Sequence, residues 1–413
     1  MSKQEPHFRL HRNLVLGVIA NLDAIFNEKL QADKVIAKTL KSNKRWGKRD
    51  RAFIAENTYE TIRWKRLYSG IAEVKAPFTE IDLWRMLTVR WVLMGISFPE
   101  WKEFDKVPTR RIKGRFDELK KERVFAASIP NWLDDLGVKN FGVEKWEKEL
   151  AALNTPAQVV VRANRLKTNP KLLQNAFRDE GIQTHWTRQY PDALVLEERS
   201  NVFETEVFQK GWFEVQDASS QRVAHFCQVE PGMQVIDACA GAGGKTLHLA
   251  AIMESKGQIT SMDIYAHKLH ELKRRAKRAG AQNITTKLIT STKTIKKLKG
   301  RADRVLIDAP CTGLGVLRRN PDAKWKIQPD FLEKITHTQQ NILKSYANMV
   351  KENGKLIYVT CSILRQENQD QVEAFLKTEI GQGFELDKEE IISPAKSGFD
   401  GFYMARLSRI KTC

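Results

Sequence analysis

The sequence predicts an α/β protein. Its C-terminal half forms a doubly wound, mostly parallel sheet, preceded by a helical region and a small α+β module. Three observations carry this. From Gly211 onward, short apolar runs alternate with amphipathic helical stretches. Two of those runs, "DRVLIDAP" and "KLIYVTCS", stop abruptly on Asp-Ala-Pro-Cys and Thr-Cys-Ser. Before residue 127 the apolar spacing is helical and the composition basic.

Residues 1–126 read as a helical domain. "NLVLGVIANLDAIF" and "KRDRAFIAENTYETIRWKRLYSGIAEV" repeat apolar residues at helical spacing, and Pro77, Pro99 and Pro108 punctuate the later part. Trp64, Tyr68, Trp84 and Trp91 stand among arginines and lysines. A helical core is their expected place, and stacking on nucleic-acid bases is the alternative. Residues 127–210 read as a small α+β module that could serve as an RNA-facing platform. After the helical "NWLDDLG" and "VEKWEKELAALN" come the strand-like "AQVVVRANRL", a helix "NPKLLQNAFRDEG", and the strand-like "IQTHWTR" and "ALVLEE". Residues 211–413 carry the strand–helix rhythm. Val235-Ile236-Asp237 and "QITSMD" are strands, Gly243 to Ser255 and "YAHKLHELKRRAKRAG" are helices, and "ITTKLIT" is a strand. "DFLEKITHTQQNILKSYANMVKENG" reads as one helix ending before Gly354.

Composition narrows the function. The 413 residues carry a net charge of +19, and residues 1–126 alone hold 27 Lys and Arg against 16 Asp and Glu. Such an excess favours a polyanionic partner, because basic side chains replace condensed counterions on phosphates. An anionic membrane surface is the competitor, but no long basic amphipathic helix with an aromatic face supports it. The most apolar stretch is broken by Arg85 and Arg90, so no transmembrane helix is expected, and the N-terminus lacks the pattern of a secretory signal. The five cysteines are Cys227, Cys239, Cys311, Cys361 and Cys413, an odd number with no C-x-x-C pair. A disulfide framework and a metal site are not expected, and a reducing cytoplasm is.

"VIDACAGAGGKTLHLAA" joins a strand to a helix through Gly241, Gly243 and Gly244. A phosphate-binding P-loop needs glycine where Cys239 stands, and the dinucleotide fingerprint needs glycine or alanine where Thr246 stands. The remaining pattern, Asp237-x-x-x-Gly241-x-Gly243, resembles motif I of class I S-adenosylmethionine-dependent methyltransferases. In such a loop the backbone passes close to the cofactor and the helix N-terminus receives its carboxylate. The next strand ends at Asp263. A carboxylate there can accept from both ribose hydroxyls, while capping the next helix is the bland alternative.

The two strand-terminal cysteines suggest the reaction. Carbon 5 of a pyrimidine is a weak nucleophile. A thiolate that adds to carbon 6 creates an enamine able to attack an electrophilic methyl group, after which a base removes the carbon-5 proton and the thiol leaves. Asp308, three residues before Cys311, can engage the ring nitrogen or exocyclic amine of the same base.

"CAGAGGKT", "DAPCTGLGVLRRNPDAKW" and "YVTCSILRQENQ" together resemble the Sun/Nop-type, RsmB-like RNA cytosine-5 methyltransferases. "FEVQDASSQ" and "DGFYMARL" resemble that family's flanking motifs, and "WGKRDRAFIAENTYETIRWKR" resembles, more weakly, its NusB-like helical domain. The resemblance spans most of the chain and is sharp from about Gly211. It implies a Rossmann-like class I fold, ribosomal RNA as the foremost substrate, and a cytoplasmic enzyme, expected to be a monomer, that uses S-adenosylmethionine. It further implies that Cys361 is the nucleophile and that Cys311 assists breakdown of the adduct. Asp308 would lie between cofactor and cytosine, and Lys245 would reach the substrate side. Cys239, Ala240, Gly241, Ala242, Gly243, Gly244, Lys245 and Asp263 would hold the cofactor. Transfer RNA as substrate, or a non-catalytic RNA-binding or ribosome-assembly role, are the alternatives.

Two departures stand out. Gly241-Ala242 replaces the family's common Ala-Pro. After the third strand, where an acid usually contacts the adenine, "KLITSTKTIKK" offers only Thr290, Ser291 or Thr292; a hydroxyl there, Thr290 first, would hydrogen-bond the adenine amine of the cofactor, and loss of the contact is the alternative. Cys227 and Cys413 are expected to be ordinary thiols, and Cys239 to pack beside the loop. His248, His267 and His270 are expected on helix surfaces, and Lys273-Arg274-Arg275 on a solvated face. Arg318, Arg319, Lys324 and Trp325 would clamp RNA phosphate or shape the active-site loop, with a solvated loop as the alternative.

Overall fold

The computed structural model describes residues 10–410, so Cys413 lies outside the described residues. The chain divides into two compact units. One runs to Thr155 and includes Leu317–Gln328; the other is Pro156–Val316 with the residues from Pro329 onward.

The first unit is helical, its longer helices being Arg12–Phe26, Ala32–Ser42, Lys48–Arg63, Glu80–Leu93, Thr109–Leu119, Asn131–Phe141 and Val143–Leu153. Helix Glu80–Leu93 begins with a capping box: Thr79 accepts from the Asp82 N–H at 3.2 Å while Asp82 accepts from the Thr79 N–H at 3.0 Å. Tyr68, Trp84 and Trp91 are buried and Trp64 half-buried, all in one apolar core. The Trp91 indole also donates to Asn57 Oδ1 at 2.9 Å, so its polar end is satisfied inside the core. These aromatics are core residues; burying side chains of this size contributes roughly 1.5–3 kcal/mol each.

Residues Leu317–Gln328 interrupt the second unit in sequence yet pack with the helical one. Arg63 donates to the Arg318 carbonyl at 3.1 Å, the Trp325 indole to the Ile62 carbonyl at 2.7 Å, and Lys326 to the Leu30 carbonyl at 2.7 Å. Lys324 is almost fully buried and donates to Asn154 Oδ1 at 3.1 Å; burial pushes its ammonium well down. This segment is therefore an anchored insertion rather than a solvated loop, and Lys324 does not present its charge to solvent.

The second unit contains two sheets. The smaller has strands β1 (Val160–Ala163), β2 (Thr184–Thr187), β3 (Tyr190–Leu196) and β4 (Phe213–Val215) in the order β2-β3-β1-β4, all antiparallel. The sequence reading closes this module at residue 210. Pairing of β4 with β1 carries it to Val215, because Phe213 buries completely against Phe177.

The larger sheet has β5 (Gln234–Asp237), β6 (Gln258–Asp263), β7 (Ile284–Leu288), β8 (Ala302–Asp308), β9 (Val350–Thr360), β10 (Phe384–Ile392) and β11 (Phe402–Arg409), in the order β10-β11-β9-β8-β5-β6-β7. Strands β5 to β9 pair in parallel, and β11 and β10 add antiparallel at one edge. Val305, Leu306 and Ile307 are all fully buried. A continuous apolar run follows from cover on both faces. Leu306 and Ile357 pack with Leu247 and Leu272 on one face, while Val305, Ile307 and Tyr358 pack with Leu343 and Phe375 on the other. The fold is thus the doubly wound class I methyltransferase-type sheet. One element differs from expectation: the long helix ends at Tyr346, and β9 already begins at Val350, because Val350 pairs with Ala302. No helix among the described residues is long and apolar enough to cross a membrane.

Candidate active site

Parallel strands place their carboxyl ends on one edge, and the chemistry-bearing residues collect there. β5 ends at Asp237, β6 at Asp263, β8 at Asp308 and β9 at Thr360, immediately before Cys361. The loop after β5 is pinned to its neighbours: the Ala238 N–H donates to the Leu306 carbonyl and the Ala240 N–H to the Met262 carbonyl, both at 2.8 Å. Gly243 has φ +86, and a Cβ there would stand 2.5 Å from Leu272 Cγ. At Gly241 and Gly244 an added Cβ would meet nothing within 4 Å. The loop is therefore packed on one side and open on the other, the shape of a backbone cradle.

Two arginines support the cradle, and sequence reasoning assigned a role to neither. Arg162 of β1, buried, donates to the Gly244 carbonyl and to Gln216 Oε1, each at 2.6 Å; burial pushes its guanidinium down to about 10. Arg275 donates to the Ala242 carbonyl at 2.9 Å and pairs with buried Glu214 at 2.8 Å. The expected solvated face at Lys273-Arg274-Arg275 holds for the first two residues only, because Arg275 turns toward the loop.

Asp263 is buried. It accepts from the Gly241 N–H at 2.9 Å and the Tyr265 N–H at 2.8 Å, one on each oxygen. The Tyr265 contact is a turn rather than a helix cap, because the helix Ala266–Ala279 that follows receives no side-chain cap. Each oxygen keeps a second lone pair for a ligand hydroxyl. Thr290, Ser291 and Thr292 are exposed just beyond β7, whose following residue Ile289 donates its N–H to the Asp263 carbonyl at 3.0 Å. Asp237 is buried and accepts from Thr246 Oγ1 at 2.7 Å; burial, with Asp308 adding to it, pushes its carboxyl up to about 7. Cys239 is half-buried beside the loop, and burial followed by Asp237 and Asp308 pushes its thiol well up.

The cysteines converge: Sγ of Cys311 and Sγ of Cys361 are 3.4 Å apart. The hydrogen bond to Cys361, burial and the Cys361 charge all push the Cys311 thiol well up. Lys245 Nζ donates to Asp308 Oδ2 at 2.6 Å. Burial works to lower its ammonium, but the Asp308 charge and hydrogen bond outweigh this and leave it raised. A thiol pair, a carboxylate and an ammonium beside an open glycine cradle can support nucleophilic addition to an electron-poor ring. Sequence reasoning also passed over Glu367 and Asn368, which bind the residues flanking both cysteines. The signal was the acid-amide pair in "RQENQ".

One polar cluster lies elsewhere. His248, expected on a helix surface, is buried, whereas His267 and His270 are exposed. Asp192, His225 and His248 bring their ligand atoms within 4.8 Å of one another, the one group among the described residues that could hold a metal ion. His225 Nε2 and His248 Nε2 lie 2.7 and 3.0 Å from the same Asp192 oxygen, and Arg165 donates to the other at 2.5 Å. Ligands of a tetrahedral ion stand about 3.3 Å apart. The observed spacing is that of hydrogen bonds, and Arg165 already neutralises the carboxylate.

Comparison with known proteins places this geometry in a family. Residues 224–408 match the model of the 16S rRNA methyltransferase RsmB/F family, and residues 129–203 match its RsmF/B-like ferredoxin-like domain. The chain is 30% identical over 336 residues to ribosomal RNA small subunit methyltransferase B of Escherichia coli O6:K15:H31, covering 76% of this chain and 75% of that one. It is 32% identical over 298 residues to the probable ribosomal RNA small subunit methyltransferase B of Bacillus subtilis, covering 68% of this chain and 66%, just under two thirds, of that relative. Among solved structures, the crystal structure of PH0851 is similar with a TM-score of 0.81 and 22% identity, covering 97% of this chain and all of that one, a likeness of fold. With the strand order, the glycine loop and the paired cysteines already in view, the chain belongs to the RsmB/F methyltransferase family.

Proposed function

We propose that this chain is an S-adenosylmethionine-dependent RNA methyltransferase that makes 5-methylcytosine, with ribosomal RNA as its substrate. The observation that carries the reading is the 3.4 Å approach of two thiols on the strand edge that also bears the glycine cradle. The family's relatives, named for the small-subunit ribosomal RNA, support the substrate class. The basic charge of residues 1–126 supports a polyanionic partner.

The residues present fit the cofactor. The open outer side of Gly241 and Gly244 and the remaining lone pairs of Asp263 suit its amino-acid and ribose ends, while the exposed Thr290 hydroxyl stands where the family's usual acid is missing. When bound, S-adenosylmethionine supplies the electrophilic methyl group.

The Cys361 sulfur adds to carbon 6 of cytosine. The carbon–sulfur bond forms as the C5–C6 π pair becomes nucleophilic at carbon 5. Asp308 accepts from the exocyclic amine, and its charge is balanced by Lys245. After carbon 5 is methylated, a base accepts its proton, the pair of the broken C–H bond re-forms the C5–C6 double bond, and Cys361 leaves as thiolate with the pair of the carbon–sulfur bond. Cys311, beside the departing sulfur, assists this last step.

The test uses labelled cofactor and unmodified ribosomal RNA. Cys361→Ala should abolish transfer, and Cys311→Ala should trap a covalent RNA adduct visible as a shifted band on a denaturing gel. An active Cys361→Ala enzyme together with an inactive, adduct-free Cys311→Ala enzyme would reverse the two roles.

A further inference from the structure

Glu367 is completely buried, and none of its hydrogen-bond donors among the described residues is cationic. Burying a carboxylate costs several kcal/mol unless hydrogen bonds replace its hydration. Here the replacement comes from both cysteine loops. One carboxylate oxygen accepts from the Thr312 N–H at 2.7 Å and from Gln339 Nε2 at 3.2 Å. The other accepts from Thr312 Oγ1 at 2.6 Å and from the Ser362 hydroxyl. Thr312 follows Cys311 and Ser362 follows Cys361.

The neighbouring residue completes the grip. Thr360, which precedes Cys361, donates its hydroxyl to Asn368 Oδ1 at 2.5 Å, and Asn368 Nδ2 donates to the Ser362 carbonyl at 3.0 Å. Tyr358 donates its hydroxyl to the Glu367 carbonyl at 2.7 Å and so fixes the backbone that carries the carboxylate. Strand register alone does not set the separation of the two sulfurs. Cys311 lies three residues past the end of β8, in irregular chain. The Glu367 carboxylate binds Thr312 through both its N–H and its hydroxyl, and the same side chain holds Ser362.

We propose that Glu367 is the positioning residue that holds Cys311 and Cys361 at reacting distance, acting through Thr312 and Ser362. The proposal rests on the cytosine-5 reading above. The Glu367 charge also helps push the Cys311 thiol up, after the Cys361 hydrogen bond, burial and the Cys361 charge. A leucine of similar volume could fill the site at no electrostatic cost but would hold neither loop.

The experiment compares Glu367→Ala and Glu367→Gln in the full chain. Single-turnover methylation of unmodified ribosomal RNA should slow about 100-fold with alanine, the usual consequence of displacing a reacting atom by about an ångström. Glutamine can still accept from the Thr312 N–H and bond both hydroxyls, so it should stay within about tenfold of wild type. A second readout needs neither RNA nor cofactor. Phenylarsine oxide bridges two thiols only when they are close; wild type and Glu367→Gln should capture it, while Glu367→Ala and the control Cys311→Ala should not.

Glu367→Ala that methylates near the wild-type rate, or that keeps the arsenical bridge, overturns the proposal. If that variant does not fold, Thr312→Val carries the test: slowed methylation and weakened capture at an unchanged melting temperature support the proposal, and wild-type behaviour overturns it. A wild type that captures the arsenical yet makes no 5-methylcytosine sinks the cytosine-5 reading, and the positioning claim is then decided by capture in Glu367→Ala alone.

Discussion

Lys245 donates to Asp308 across 2.6 Å, joining the first turn of the helix after the glycine loop to the strand end that leads into Cys311. Lys245 is largely buried, while Asp308 keeps about a third of its side chain exposed. The pair therefore ties the cradle to the thiols while leaving the carboxylate open to a base. Lys245→Met and Asp308→Asn should each lower the single-turnover rate by about 100-fold, and the double variant should be no slower than either one, because the two groups act as a unit. Losses that multiply in the double variant would show that they act separately.

The glycine cradle makes a contrast between two neighbours. Gly243→Ala forces both a left-handed backbone and a collision with Leu272, whereas Gly241→Ala brings the backbone strain alone, at φ +54 with open space around it. Calorimetry with S-adenosylmethionine should find Gly243→Ala weakened at least tenfold, roughly 1.4 kcal/mol or more, and Gly241→Ala weakened less. Equal losses would mean that the packing against Leu272 is irrelevant to the cradle.

His248 makes the protein acid-sensitive. Burial, followed by the charge of Arg162, pushes its imidazole down to about 3. The unfolded chain therefore binds a proton near pH 6.5 that the folded chain refuses until about pH 3. Stability is fully present above pH 6.5 and falls as the pH drops toward 3. At pH 4.5 this one group costs on the order of 2–3 kcal/mol. Asp192 acts in the same direction lower down. Although burial works to raise its carboxyl, hydrogen bonds from His225, His248 and Arg165 hold it well below the usual range, so its contribution is present above about pH 4 and lost in stronger acid. Thermal melts of wild type and His248→Gln between pH 7 and 4.5 check this. The variant should lose stability less steeply, and parallel slopes would contradict the assignment.

The strand ends were legible because a parallel sheet writes them into the chain. A buried strand covered on both faces must be apolar throughout, so the first acid after it marks the carboxyl edge; Asp237, Asp263 and Asp308 all appear this way. The glycine loop was legible for a similar reason, since a tight approach of backbone to helix excludes side chains. Less visible was the end of the helix before β9. "YANMVKENG" continues an apolar helical pattern, and only pairing of Val350 with Ala302 turns it into strand.

By itself the sequence determined the doubly wound sheet, the cradle and the two cysteines beside it, since each is set by local periodicity or by a residue type with no substitute. Tertiary structure alone decided what holds them. Apart from Ser362, which is local to Glu367, the partners of the Arg162, Arg275 and Glu367 side chains lie 28 to 82 residues away, and no local pattern encodes a hydrogen bond across such a distance. His248 lay on what read as a helix surface until Asp192, from another sheet, closed over it. Burial and partnership of polar groups are properties of packed surfaces, which exist only once distant segments have met.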